Sequence, residues 1–328
     1  MTATECLSDL VVGIYKIRCQ MRKRKFIEEE VNHIYQRTES GFNIFYEVED
    51  YLVYYTIFSI ASIRYHVTVY GLCLMIDHIH SLCAFKDKMS FSRFMSFVSN
   101  VFVKEYNNEH CRKGALFSES FGSAPKTGIK LLRTAVAYLY NNAVERHLCK
   151  YAQDFRWNFL SFAQSSCPFS YPLILRKASY ALQRAVAEVN GSRERSAHLT
   201  YPQLKRLFSG LDEREKNQLI DYIIMKYSVI RFDILTTLCY DGYENMITAI
   251  NSNAGSEYEI YELRWGRSDT GYRELYKFVR SHGFSSAGGV ISLDIDAKFS
   301  LHDAMHAATN VSSYQICKFL HLRTLKSQ

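Results

Sequence analysis

The chain has 328 residues, 48% of them hydrophobic and 22% charged, with only 4 prolines and 15 glycines. That composition allows a sizeable core and two domains, and it excludes extensive disorder. The formal net charge of +7 is spread over both halves of the chain, which permits nucleic-acid binding without requiring it. No apolar run reaches the roughly 18 residues of a membrane span, and the N-terminus lacks a signal-peptide pattern. The 9 cysteines include no Cys-x-x-Cys pair. The expectation is a cytoplasmic protein with free thiols and no membrane partner.

In chain order, residues 1–20 read as an N-terminal extension, followed by the basic run Arg22, Lys23, Arg24 and Lys25. Residues 31–38 alternate as a strand does, and Ser40-Gly41 breaks them. Glu47, Glu49 and Asp50 introduce a helix over residues 51–65. Residues 66–75, rich in β-branched and aromatic side chains, predict a second strand; Asp77 turns it, and residues 78–85 return as its hairpin partner. From Ser90 to Asn107, Phe91, Phe94, Met95, Val98, Phe102 and Tyr106 recur at helical spacing. A short strand is expected at residues 115–117, a loop at 122–125 and a helix at 130–147. This order predicts an α+β fold, an antiparallel sheet with helices packed on one side.

Residues 165–175, with two X-Pro pairs, mark a boundary between an α+β region at 21–165 and a mainly helical region at 176–328. Helices are expected at 178–189, 201–208, 213–227, 231–239, 242–249 and 272–281. The stretch 301–321 has the lengths and turn of a helix-turn-helix, with Gln315 and Lys318 on one face of its second helix. A plain helical hairpin packed on its neighbours is the alternative.

The chemistry centres on His78-Ile79-His80. Residues two apart on a strand point to the same face, so both imidazoles can converge on one metal ion while Ile79 turns away. A chain with 11 histidines produces this spacing by chance often enough that its place just after a hairpin turn matters more than the spacing itself. Tyr138 and Asn142 stand four apart and share a helix face, offering a phenol nucleophile and an amide oxygen. With 24 tyrosines in the chain, that pairing carries no weight without context. His302 and His306 are also four apart, but no third ligand accompanies them.

The context comes from several ordered segments: residues 33–38, residues 74–80 containing the histidine pair, residues 114–117, residues 138–144, and Asp154-Phe155-Arg156-Trp157. Together, over residues 30–162, they resemble the single-tyrosine HUH transposases, in particular the REP-associated tyrosine transposase branch. Ile76-Asp77 stands where that family often has Pro-Asn, and Ala143 where it often has proline; neither removes a ligand or the nucleophile. The resemblance implies an HUH nuclease-like sheet and a catalytic Tyr138. It further implies a divalent ion, Mg2+ or Mn2+, held by His78, His80 and Asn142.

The activity so implied is cleavage and rejoining of single-stranded or hairpin DNA through a 5′-phosphotyrosine intermediate. Tyr35, Arg37, Lys126, Lys130 and Arg133 are candidate DNA contacts through stacking and charge. Monomer and homodimer both remain open. The rival reading is a catalytically idle DNA-binding regulator derived from the same fold, and intact His78, His80 and Tyr138 weigh against it.

Overall fold

The computed structural model describes residues 25–118, 121–252 and 268–323. The expected extension at 1–20 and Arg22, Lys23 and Arg24 of the basic run lie outside the described residues. β1 (Val31–Arg37), β2 (Thr68–Leu74), β3 (His78–Ala84) and β4 (Gly122–Pro125) form one sheet in the order β2-β3-β1-β4, and every pairing is antiparallel. Three helices interleave with them: α1 (Val48–Arg64), α2 (Lys88–Glu109) and α3 (Ile129–Glu145). The expected alternation of strands and helices is therefore present.

Capping explains two of the helix starts. Asp50 accepts hydrogen bonds from the amides of Tyr46 and Glu47, both at 2.8 Å, and so closes the N-terminus of α1. Asp87 accepts from the Ser90 amide at 2.6 Å and starts α2.

Two expectations are corrected. The fourth strand lies at Gly122–Pro125, where a loop was expected, while residues 115–117 contribute only an isolated bridge from Phe117 to Thr38. Helices also cover both faces of the sheet. Gln36 of β1 donates to Ser99 of α2 at 3.0 Å on one face, and Tyr138 of α3 packs against His33 of β1 on the other. All of β3 from His78 to Cys83 is buried, as a strand covered on both sides must be.

The helical region contains α4 (Tyr180–Glu194), α5 (Tyr201–Phe208), α6 (Glu213–Lys226), α7 (Tyr243–Ser252), α8 (Thr270–Ser281), α9 (Ile295–Ala308) and α10 (Ser313–Phe319). A short turn of helix at Phe232–Ile234 continues as a π-helical turn over Leu235–Cys239. These elements share one hydrophobic core with the sheet, running from Val31 to Leu322. Polar contacts reinforce the seam. Tyr55 donates to the Ile224 carbonyl at 2.9 Å, and Tyr201 donates to Asp50 at 2.8 Å. Ile230 forms a parallel bridge with Val69 on the β2 edge.

Gln315 and Lys318 do not present a reading face to solvent. Gln315 donates to the Ser268 carbonyl at 2.8 Å and Lys318 pairs with Asp77 at 3.3 Å. The residues that a helix-turn-helix would offer to DNA are committed to the body of the protein, which corresponds to the packed helical hairpin.

Candidate active site

The register of the sheet assembles the site. Tyr35 lies opposite His80 and Arg37 opposite His78, so in an antiparallel pair these four side chains and His33 share one face. From the helix above, Tyr138 reaches down between the strands. Its ring centroid stands 5.5 Å from that of His80 and 5.6 Å from that of His33, both in edge-on contact. The rings of His78 and His80 are 5.0 Å apart and perpendicular. All four are buried: His33 0%, His78 3%, His80 1% and Tyr138 4% exposed.

Each imidazole of the predicted pair is held by its Nδ1. His78 donates to Asp77 Oδ1 at 2.6 Å, and His80 Nδ1 shares a hydrogen bond with His33 Nε2 at 3.0 Å. A histidine fixed at one nitrogen by an outer partner and offering the other is the usual arrangement of a metal ligand. His78 Nε2 is buried without a hydrogen-bond partner, a cost that a bound cation would remove. The donor pair, two imidazoles, suits a divalent ion of the manganese type better than magnesium. These residues fit the ion that the resemblance implies. Among the described residues, no group of three or more His, Cys, Asp and Glu side chains is arranged to hold a metal.

Asn142 is buried one turn beyond Tyr138, and its amide nitrogen donates to the Tyr138 carbonyl at 2.9 Å. Tyr140 points elsewhere. Its hydroxyl lies 3.5 Å from where a Cβ would stand on Gly71 of β2, has no hydrogen-bond partner, and is pushed far up in pKa by burial. Of the two tyrosines on this part of α3, only Tyr138 joins the histidines.

Asp77 connects the site to the helical region. Burial alone would raise its carboxyl. The hydrogen bond from His78 and the charges of His78, Lys318 and Arg146 outweigh that effect and hold it well below the usual carboxylate range. Nearby, Arg146 pairs with Asp269 at 3.7 Å. Burial, and then the neighbouring Asp77, push the Asp269 carboxyl up to about 6.

The candidate DNA contacts are scattered by comparison. Tyr35 is half-buried and lies across Gly122, where an added Cβ would come within 1.9 Å of its ring. Arg37 is half-buried at the end of β1, and Lys130 is exposed on the first turn of α3. One candidate needs correction as a surface contact. Lys126 is buried at 3% exposure. Arg133 is exposed on α3, where its guanidinium donates to the Cys239 carbonyl and stacks on Tyr240 at 5.3 Å. His302 bonds Ser313 at 2.7 Å and Asp303 at 3.0 Å and has no part in the site.

Sequence reasoning placed none of His33, Asp77 and Lys318 at this site; it read Asp77 as the hairpin turn and Lys318 as part of a reading helix. For His33 the signal was present, because it stands two residues before Tyr35 on the strand that pairs with His80. For Lys318 no local signal exists, since it lies 241 residues from its partner.

Residues 11–142 match the family described as "Transposase IS200 like", which overlaps the resemblance read from the sequence over residues 30–162. No curated protein matches the chain. A solved structure described as a REP-associated tyrosine transposase bound to a REP hairpin is similar at 14% identity. That similarity covers 42% of this chain and 81% of the other, with a TM-score of 0.35. The family match supports a transposase role. Among the described residues, no helix is long and apolar enough to cross a membrane.

Proposed function

We propose that the protein is a metal-dependent transposase that cleaves and rejoins single-stranded DNA at hairpin-associated sites through Tyr138. The observation that carries this reading is the convergence of Tyr138, from a helix, on His80 and His33, from two neighbouring strands. Three such residues drawn from separate elements into one buried cluster are not a requirement of folding. An idle DNA-binding regulator would have no chemical need for them.

In this reading His78, His80 and Asn142 hold the divalent ion. When bound, the ion supplies charge withdrawal from a phosphate oxygen. Tyr138 Oη, as phenolate, attacks the scissile phosphorus in line; the P–O3′ bond breaks, the 3′ oxygen leaves and takes up a proton, and a 5′-phosphotyrosine remains. The phosphodiester energy is kept in that bond, so a later 3′-hydroxyl can rejoin the strand without a nucleoside triphosphate. His33 and His80, edge-on to the phenol ring, restrict where the hydroxyl can point, which lowers the entropy cost of attack. Burial of the cluster excludes water, the competing nucleophile.

Tyr35, Arg37, Lys130 and Arg133 remain the DNA contacts of this proposal. The reacting groups belong to residues 21–165, and residues 176–328 support them and adjust target choice. Incubation with Mn2+ and single-stranded hairpin DNA should yield a denaturation-resistant protein–DNA adduct. Absence of any adduct across a panel of hairpins, with folded protein, overturns the reading.

A further inference from the structure

The carboxylate of Asp77 has two oxygens and divides them between distant parts of the chain. Oδ1 accepts from His78 Nδ1 at 2.6 Å, and Oδ2 accepts from Lys318 Nζ at 3.3 Å. Its carbonyl is fixed as well, accepting from the Thr38 amide at 3.2 Å and the Thr38 hydroxyl at 3.0 Å. Both side chains of the ion pair are largely buried, Lys318 at 15% and Asp77 at 13% exposure.

The lysine is guided to this place. Its stem passes over Gly41, where a Cβ would approach Cε and Nζ to 2.9 Å and where φ is +67°. Only glycine meets both demands without strain. The helix that carries Lys318 is seated by three further bonds to the segment after β1. Asn43 N donates to the Lys318 carbonyl at 3.3 Å, Tyr46 donates to the Phe319 carbonyl at 2.5 Å, and His321 donates to the Asn43 carbonyl at 2.6 Å. The other nearby cation, Arg146, pairs with Asp269 instead.

We propose that Lys318 is a positioning residue of the metal site: by holding Asp77 Oδ2 it fixes Oδ1 on His78 Nδ1, which aims His78 Nε2 at the ion. The inference rests on the reading that His78 is a metal ligand. Its consequence is that α10, which lies outside the family-matched residues 11–142, is part of the catalytic centre. Outer partners of metal-binding histidines typically change affinity by 10- to 100-fold. Lys318 acts one bond further out, so the lower end of that range applies.

The test is an Mn2+ titration of the full chain, followed by electron paramagnetic resonance of free Mn2+, with no DNA present. Lys318→Met keeps the stem over Gly41 and removes the charge; it should weaken Mn2+ binding about tenfold. Lys318→Arg should restore most of the loss. Asp77→Asn should weaken binding too, and adding Lys318→Met to it should change little more, because the two act through one bond. This comparison within the Asp77→Asn background also serves if Lys318→Met alone is poorly folded. Wild-type protein that binds Mn2+ while Lys318→Met binds it equally well, or additive losses in the double variant, overturn the relay and leave the proposed function standing. Wild-type protein that takes up no Mn2+ overturns both.

Discussion

The two tyrosines of α3 allow the nucleophile to be tested against a neighbour of the same chemistry. Tyr138→Phe removes one oxygen and leaves the ring against His33 and His80, so adduct formation should fall to background while Mn2+ and hairpin DNA still bind. Tyr140→Phe removes an oxygen that is buried and lacks a hydrogen-bond partner. An unsatisfied buried hydroxyl costs about 1–3 kcal/mol. Phenylalanine retains nearly all the ring contacts, so this variant should be more stable than wild type by about 1 kcal/mol, taking the lower end of that range. For a chain of this size that is an increase of about 2 °C in melting temperature, with adduct yield unchanged. Mass spectrometry of the phosphotyrosine peptide, together with thermal denaturation, reads both effects. An adduct mapped to Tyr140, or a Tyr140→Phe protein that is destabilised and inactive, refutes the assignment of the two faces of α3.

His78→Ala and His80→Ala should each abolish adduct formation and reduce Mn2+ uptake at least tenfold with the fold intact, whereas Asn142→Ala should lose less, since water can replace an amide oxygen; calorimetric titration with Mn2+ ranks the three. Gly122→Ala should destabilise the protein by about 1–3 kcal/mol, because its Cβ would overlap the Tyr35 ring, and Tyr35→Ala in the same chain should recover most of that loss in urea unfolding. His321 titrates at about 3, pushed down chiefly by burial, against an ordinary value of 6.5. The unfolded chain thus takes up this proton below pH 6.5 and the folded one does not until about pH 3, so stability falls as the pH drops through that window. Between pH 7 and pH 5 the loss is on the order of 1–2 kcal/mol. His321→Asn should flatten the pH dependence of the melting temperature over that range, and an unchanged slope disproves the assignment.

Much of the fold was legible because its signals are local. The helix of residues 201–208 and the hairpin around Asp77 follow from periodicity and turn chemistry, and the structure bears both out. The β4 strand was not legible, because Gly-Ser-Ala-Pro carries no strand preference; it forms because β1 offers a partner, and proline is tolerated at the end of an edge strand. Coverage of both sheet faces was hidden by the histidines, polar residues that suggest solvent where the structure has α3. The helix face of Tyr138 was readable from its spacing to Asn142. The role of Asp77 was not, because its second partner is supplied by the far end of the chain.

The bridge between Ile230 and Val69 bears on how copies of this protein can associate. An edge strand with open amides invites a second copy to extend the sheet. Here the β2 edge is occupied in part by the chain itself: the Arg231 amide donates to the Val69 carbonyl at 2.8 Å, beside a bulge between Val69 and Gly71 that twists the strand out of register. At the opposite edge β4 is only four residues long and ends in a proline. Among the described residues, these features shorten the run of backbone that either edge offers to a second copy. A second copy adding to the β2 edge would have to displace the Ile230 bridge, and one adding to the other edge would meet a four-residue strand that ends in proline.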